Sequence, residues 1–355
     1  MIDFQNLGYT LPDQPDALDE IAPPSVNTRL DGHNDAARFL VKSHLSGTLH
    51  HGLALDGERG IGKATLAFHF THWLMAGAQA TPDGLLPPPD PANPSFRQIA
   101  QDAHPNVLQI HRPQNDQGTG FKTVITVGEI RRINRFLTMS ASGAYPRVVI
   151  IDAANDMNTN AANALLKVLE EPPANTYFLL IAHGTGSLLP TIKSRTQSLK
   201  LHALDDQQLT ALLPGLLPGA DAATINRLVG LADGSVRQAL VMHLYGGADL
   251  DEALSELLSK NNFDAVLAHK VADVAATRGS PVQNRLIRDL IAKRIRDEAM
   301  LRVRAGRLDD AAHLARLDQT LNDDARTAAA FNLDVKTAML VTLGEVHSLF
   351  HKLAA

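Results

Sequence analysis

At 355 residues, with 45% hydrophobic and 20% charged side chains, the chain is too long for one ordinary hydrophobic core and should divide into three domains. No apolar run approaches the ~20 residues of a membrane span, and MIDFQNLGYTLPDQPDALDE lacks the basic start and apolar stretch of a secretory signal, so neither insertion nor export is expected and the cytoplasm is the default. The net charge of −5 gives no global attraction to nucleic acid, and the lack of cysteine excludes a disulfide, a thiol nucleophile and Cys-ligated zinc.

Residues 1–28, rich in Pro, Asp and Asn and closed by IAPPSVNT, read as an extended lead-in. DGHNDAARFLVKSHLSG has apolar residues at 36, 37, 40, 41 and 45, a helical spacing with Asp31 or Asn34 available as a cap. GLALDG reads as a buried strand, and GKATLAFHFTHWLMAG as a helix ending at Gly77. The prolines of residues 77–106 predict a loop or insertion without regular structure. TVITVGEIRRINRFLTMSA predicts a short strand and then an amphipathic helix with Ile130, Ile133, Phe136 and Leu137 on one side.

RVVIID, which ends in Asp152, and TYFLLIA are continuous apolar runs, as expected when both faces of a parallel sheet are covered. Between them NTNAANALLKVLEEPP is a helix stopped by Pro172. From about residue 201 the pattern is helical only, in short runs to 248 and longer ones from 249 to 355. The expected organisation is a lead-in over 1–28, an α/β domain over 29–200, a small helical domain over 201–248 and an all-helical domain over 249–355.

The strand, glycine loop and helix around GERGIGKATL supply the context that a phosphate loop needs. Gly57, Gly62 and Lys63 fall on the G-x-x-x-x-G-K spacing, with Gly60 between them. Backbone N–H groups at a helix N-terminus bind phosphate, and the lysine adds a point charge. Asp152, at the end of a neighbouring strand, stands where such folds place a carboxylate near the metal. Two groups are missing. Ala64 replaces the Ser or Thr that binds Mg²⁺, and Ala153 replaces the glutamate that usually follows the aspartate and polarises the attacking water. Thr65 is turned by about 100° along the helix and does not stand in for Ala64. A degraded nucleotide site accounts for this pattern better than an ordinary glycine turn and a strand-end aspartate.

GERGIGKATLA, VVIIDAANDMNTNAANALLKVLEEPP, LLPTIKSRTQ and GSVRQAL occur in an order and at distances that resemble the bacterial clamp-loader branch of the AAA+ proteins, and within it the delta-prime type of DNA polymerase III subunit. The resemblance covers residues 30 to about 245 with specific motifs and continues to the C-terminus as helical similarity. It implies an AAA+ α/β domain with a parallel sheet, a helical lid and an all-α collar. Motor subunits of that family carry the hydroxyl and the glutamate, so Ala64 and Ala153 point to a stator-like chain without independent ATPase activity. The resemblance assigns Arg195, in SRT where the family has Ser-Arg-Cys, to the ATP of a neighbouring subunit, as an arginine finger. A guanidinium is always charged and forks onto phosphate oxygens. Arg237 matches the family's second sensor on the lid, with the alternative that it only ties lid to core.

No cofactor is then required, weak ATP or ADP binding at Gly57, Gly60, Gly62 and Lys63 stays open, and no zinc is expected, since the four-cysteine module of many relatives is absent. His69 and His72 share a helix face and His50 adjoins His51, but no carboxylate pattern completes a ligand set. The implied partners are clamp-loader motor subunits and a delta-type subunit, with the sliding clamp and primed DNA reached indirectly. The segment 281–307 holds eight Lys or Arg against three Asp or Glu, and its stripe of Leu286, Ile287, Leu290, Ile291 and Ile295 suits helix packing in a collar better than direct DNA binding. The rival readings are an active AAA+ motor subunit and a nucleotide-sensing adaptor outside replication.

Overall fold

The structure, a computed structural model, describes residues 8–118, 120–139, 145–184, 188–277, 281–331 and 333–354. These residues fall into two compact units, Met1–Leu212 with Gly234–Arg237 and Leu213–Asp233 with Gln238–Ala355.

The first unit is built on a parallel sheet. Helix α1 (Asn34–Leu45) precedes β1 (Gly52–Gly57), and the glycine loop then leads into α2 (Lys63–Met75). A short α3 (Pro94–Ala100), β2 (Val107–Ile110), α4 (Val127–Thr138), β3 (Arg147–Asp152), α5 (Thr159–Glu170), β4 (Thr176–His183), α6 (Pro190–Lys193) and β5 (Gln197–Lys200) follow. The sheet order is β2-β3-β4-β1-β5, with every pairing parallel. Successive side chains of a strand point to opposite faces. Accordingly Leu53, Leu55, Val148, Ile150, Leu179 and Ile181 pack under α1 and α2, while Ala54, Val149, Ile151, Phe178 and Leu180 pack under α4 and α5. This double coverage is why the strands read as unbroken apolar runs.

Four expectations are corrected. The proline-rich stretch does hold a helix, α3, because Pro94 sits at its first turn, where no N–H is needed, and Asn93 caps it by accepting from the Ser95 N–H. TVITV forms no strand; Ile125 makes only an isolated bridge to Met157. The α1 cap is neither Asp31 nor Asn34 but His33, in the left-handed region at φ 58° and without a side-chain cap bond. Leu45, expected on the apolar face of α1, is 48% exposed, while Ala36, Ala37, Leu40 and Val41 are buried.

Among the described residues of the lead-in, from residue 8 on, turns and an isolated bridge stand in place of regular helix or strand, and the segment is packed down. Val26 is buried with Phe96 and Ala100, and Tyr9, Leu11 and Ala22 lie against that cluster. The Nε2–H groups of His69 and His72, one turn apart on α2, donate to the Asn27 carbonyl at 2.8 Å and the Ser25 carbonyl at 3.0 Å. His72 also stacks on Phe96 with ring centroids 4.9 Å apart. Both imidazoles are therefore used as neutral donors, and burial lowers each to about 4.

Helix α7 (Asp206–Leu216) follows the sheet, and the remaining chain is helical: α8 (Ala222–Ala232), α9 (Val236–Leu244), α10 (Gly247–Ser259), α11 (Ala265–Ala275), α12 (Pro281–Arg304), α13 (Leu308–Ala330) and α14 (Val335–Ala354). The α12 stripe expected from spacing is buried, with Leu286, Ile287, Leu290, Ile291 and Ile295 each at most 3% exposed. Its basic residues meet acids from elsewhere in the second unit. Arg294 pairs with Asp251 at 2.6 Å, Lys293 pairs with Asp233, and Arg302 reaches Asp310 at 3.9 Å. Among the described residues no helix is long and apolar enough to cross a membrane.

Candidate functional site

Gly57 ends β1, and the loop to Lys63 turns through Gly60 and Gly62 at φ 79° and 102°, conformations that side chains rarely adopt. A Cβ at Gly60 would come within 2.5 Å of the Ser235 hydroxyl oxygen and 3.3 Å of the Arg237 Cβ. Ser235 and Arg237 thus lie against the glycine loop. They are held there because the Leu204 N–H, just beyond β5, donates to the Gly234 carbonyl at 3.1 Å. On the other side His33 donates from Nε2 to the Ile61 carbonyl at 2.6 Å, and burial, with Lys63 and His202 nearby, keeps its pKa below the usual imidazole range.

Lys63 is 3% exposed. Its ammonium donates to the Gly57 carbonyl at 2.8 Å and to the Glu58 carbonyl, so the lysine closes the loop on itself. Burial lowers it to about 8 against the pull of Asp152, Glu58 and Asp56. Burial pushes Asp152 up to about 6 in spite of Lys63 and Arg59. Each charge is therefore the main reason that the other stays ionised near neutral pH. Asp152 is not on the strand next to β1, as expected, because β4 runs between them. The carboxyl ends of the three strands are nevertheless fastened together. Asn155 accepts from the His183 N–H at 2.8 Å and donates to the His183 carbonyl at 3.1 Å, while the Gly184 N–H donates to the Gly57 carbonyl at 3.2 Å.

The residues fit part of a nucleotide site. The glycine cradle, Lys63 and Asp152 converge, and Ala64 and Ala153 offer neither a hydroxyl nor a carboxylate to a metal or a water. His69 and His72 are committed to the lead-in, and His50 and His51 stack on each other with His51 donating to the Leu169 carbonyl at 2.9 Å. No group of three metal-ligating side chains occurs among the described residues.

Arg195 lies at the opposite edge of the sheet. A Cβ at Gly52, the first residue of β1, would be 3.2 Å from the Arg195 carbonyl oxygen. β1 has six residues, so about 3.3 Å per residue puts roughly 16 Å of strand between Arg195 and Gly57. The Arg195 guanidinium is at the surface, paired with Glu170 at 2.6 Å and donating to the Thr191 carbonyl at 3.1 Å. Arg237 is at the loop, and its guanidinium donates to the backbone carbonyl of Asp16.

Sequence reasoning missed Asp16, His33, Arg59, Arg112 and Asn155. The Asp16 carboxylate accepts from Arg59 of the loop at 2.7 Å and from Arg112 at 2.9 Å, and Arg112 also reaches Asp156 at 3.1 Å. Arg59 is visible within GERG, but nothing local marks Asp16, whose partner Arg112 is 96 residues away.

The family model described as DNA polymerase III, delta subunit, matches residues 32–205, the stretch that contains the sheet and the loop. The DNA polymerase III subunit delta' of Pseudomonas aeruginosa is 31% identical over 224 residues, covering 61% of this chain and 65% of its own. Over this stretch the chain is similar to the delta-prime, tau and gamma subunits of DNA polymerase III. The subunit tau of Salmonella typhimurium is 28% identical over 311 residues, 81% of this chain and 46% of its own. Less than two thirds of each of these relatives is spanned. A solved structure, a DNA polymerase III gamma subunit-related protein from Thermotoga maritima, is 18% identical, with coverage of 89% of this chain and 99% of its own and a TM-score of 0.36. The parallel α/β domain with a glycine loop after its first strand and a helical C-terminal region, as the clamp-loader resemblance implied, is the fold described above.

Proposed function

We propose that the chain is a non-hydrolysing subunit of the DNA polymerase III clamp loader, holding a place in a hetero-oligomeric ring and presenting Arg195 to ATP bound by a neighbouring motor subunit. The observation that carries this reading is the separation of Arg195 from the loop of its own chain by the length of β1. An arginine tip does not bridge roughly 16 Å of strand, so a phosphate met by Arg195 belongs to another chain. The loop itself has a lysine turned onto its own carbonyls and alanines at the two positions where hydrolysis needs an oxygen.

On this reading the partners are motor subunits and a delta-type subunit, in the cytoplasm, and the sliding clamp and primed DNA are reached through the assembly. The lid and collar roles of 201–248 and 249–355 belong to the same proposal. Arg195 gives up a single exposed ion pair with Glu170, worth no more than about 1 kcal/mol, when it turns to a triphosphate.

The test is ATP hydrolysis by the reconstituted complex with clamp and primed DNA, comparing wild type with Arg195→Ala. Loss of a finger costs its site about 10³-fold in turnover, so the total rate should fall by the share of the site that Arg195 serves. An unchanged rate rejects the finger. Turnover by the isolated chain that disappears in Lys63→Ala would reject the non-hydrolysing role and support a motor subunit instead.

A further inference from the structure

The cations around the phosphate loop are met by the chain's own lead-in. Asp16 takes a left-handed backbone, φ 63°, which few residues apart from Gly, Asn and Asp adopt. In that conformation a single residue serves three guanidiniums. Its carboxylate binds Arg59 from the loop and Arg112 from beyond β2, and its carbonyl accepts from Arg237 beside Gly60. Neighbouring residues fix the segment to the same edge. Asp13 accepts from the Gln114 amide at 3.0 Å, and the Gln14 amide donates to Gln109 at 3.2 Å. Downstream, the Ser25 and Asn27 carbonyls are tied to α2 by His72 and His69. The segment is thus anchored on both sides of Asp16.

We propose that residues 13–18 form a strap over the phosphate loop, with the Asp16 carboxylate supplying the negative charge that a nucleotide phosphate would bring, so that strap docking and nucleotide binding exclude one another. A triphosphate seated on Gly60, Gly62 and Lys63 needs the same arginines, and Asp16 has to leave before Arg59 and Arg237 turn to it. Asp16 brings a negative charge to the Arg59 and Arg112 guanidiniums at this edge of the loop. This inference rests on the reading of the loop as an inherited nucleotide cradle, and it concerns binding rather than hydrolysis or the role of Arg195.

The experiment uses the full chain and mant-ADP as a fluorescent probe. Asp16→Ala should bind mant-ADP at least ten-fold more tightly than wild type, and the gain should vanish in Asp16→Ala/Lys63→Ala. Equal affinities for wild type and Asp16→Ala overturn the strap. If Asp16→Ala does not fold, as judged by circular dichroism, Asp16→Asn, which keeps the volume and removes the charge, carries the same test with the same expected gain. Hydrogen exchange gives an independent reading in wild type: saturating mant-ADP should expose the amides of residues 13–18, and unchanged protection with probe bound overturns the proposal. ATP turnover by Asp16→Ala would reject the non-hydrolysing reading while leaving the strap in place, so the two fail separately.

Discussion

Acid should loosen the first unit through two histidines, by an amount that the structure sets. His69 and His72 are 1% and 7% exposed and lowered from 6.5 to about 4 by burial. Their native pKa lies below the unfolded one, so the stability they contribute is intact above pH 6.5 and disappears as the pH falls toward 4. At pH 5 each has lost about 2 kcal/mol, from 1.5 units at ~1.36 kcal/mol per unit. Asp152 acts with the opposite sign, because its native pKa is raised from 3.8 to about 6; protonation below pH 6 returns about 1.4 kcal/mol by pH 5. The net loss for wild type is then about 2–3 kcal/mol, and His33, His44, His51 and His104, all lowered by burial, add to it. Trp73, the single tryptophan, lies in α2, 3% exposed, so its fluorescence in urea unfolding reports this unit. The His69→Gln/His72→Gln pair keeps a donor at each position and cannot titrate, and should remove the histidine share of about 4 kcal/mol, which cancels the net wild-type loss between pH 7 and pH 5 and leaves the opposite contribution of Asp152. If wild type and double variant lose the same stability within about 0.5 kcal/mol, the histidines do not clamp the lead-in as neutral donors.

Two further substitutions test the parts that hold the edges together. Leu290→Ala empties a position that is 1% exposed on α12 and should cost about 2–5 kcal/mol, seen as a lower midpoint in thermal unfolding followed by circular dichroism; a loss under 1 kcal/mol would mean that the stripe is not a core. Asn155→Ala removes both bonds to the His183 backbone and should cost about 1–3 kcal/mol, with faster hydrogen exchange at the His183 amide; unchanged exchange there refutes the fastening of β3 to β4.

What could be read from the sequence depended on whether the signal was local. β1, the glycine loop and α2 were legible because strand, turn and helix follow each other within GLALDGERGIGKATLAFHF. β3 and β4 were legible because double burial leaves four and five consecutive buried residues in them. β2 and β5 were not, being four residues each; β2 is broken by Gln109, whose buried amide finds Gln14, and β5 is QSLK, a polar edge strand with no buried residue. TVITV has strand-forming residues but gains no sheet neighbour, and packing overrides that preference. The left-handed turn at His33 and the contacts of Asp16 leave no local trace, since each is fixed by a partner far along the chain.

On the proposed reading of the loop, the same electrostatics account for which motif residues are present and which are not. Lys63 and Asp152 hold each other ionised in surroundings that otherwise suppress charge. Removing either alone would take from the other its largest opposing charge, a change that costs stability. The fold therefore retains the pair whether or not a nucleotide is bound. The positions filled by Ala64 and Ala153 carry no such partner, and an alanine there leaves no charge exposed to a loss: Ala153 is 7% exposed and Ala64 packs against the α1 and α2 core. A phosphate loop that stops serving hydrolysis should lose its hydroxyl and its glutamate first and its lysine and aspartate last, because only the second pair is also part of what keeps the sheet edge folded.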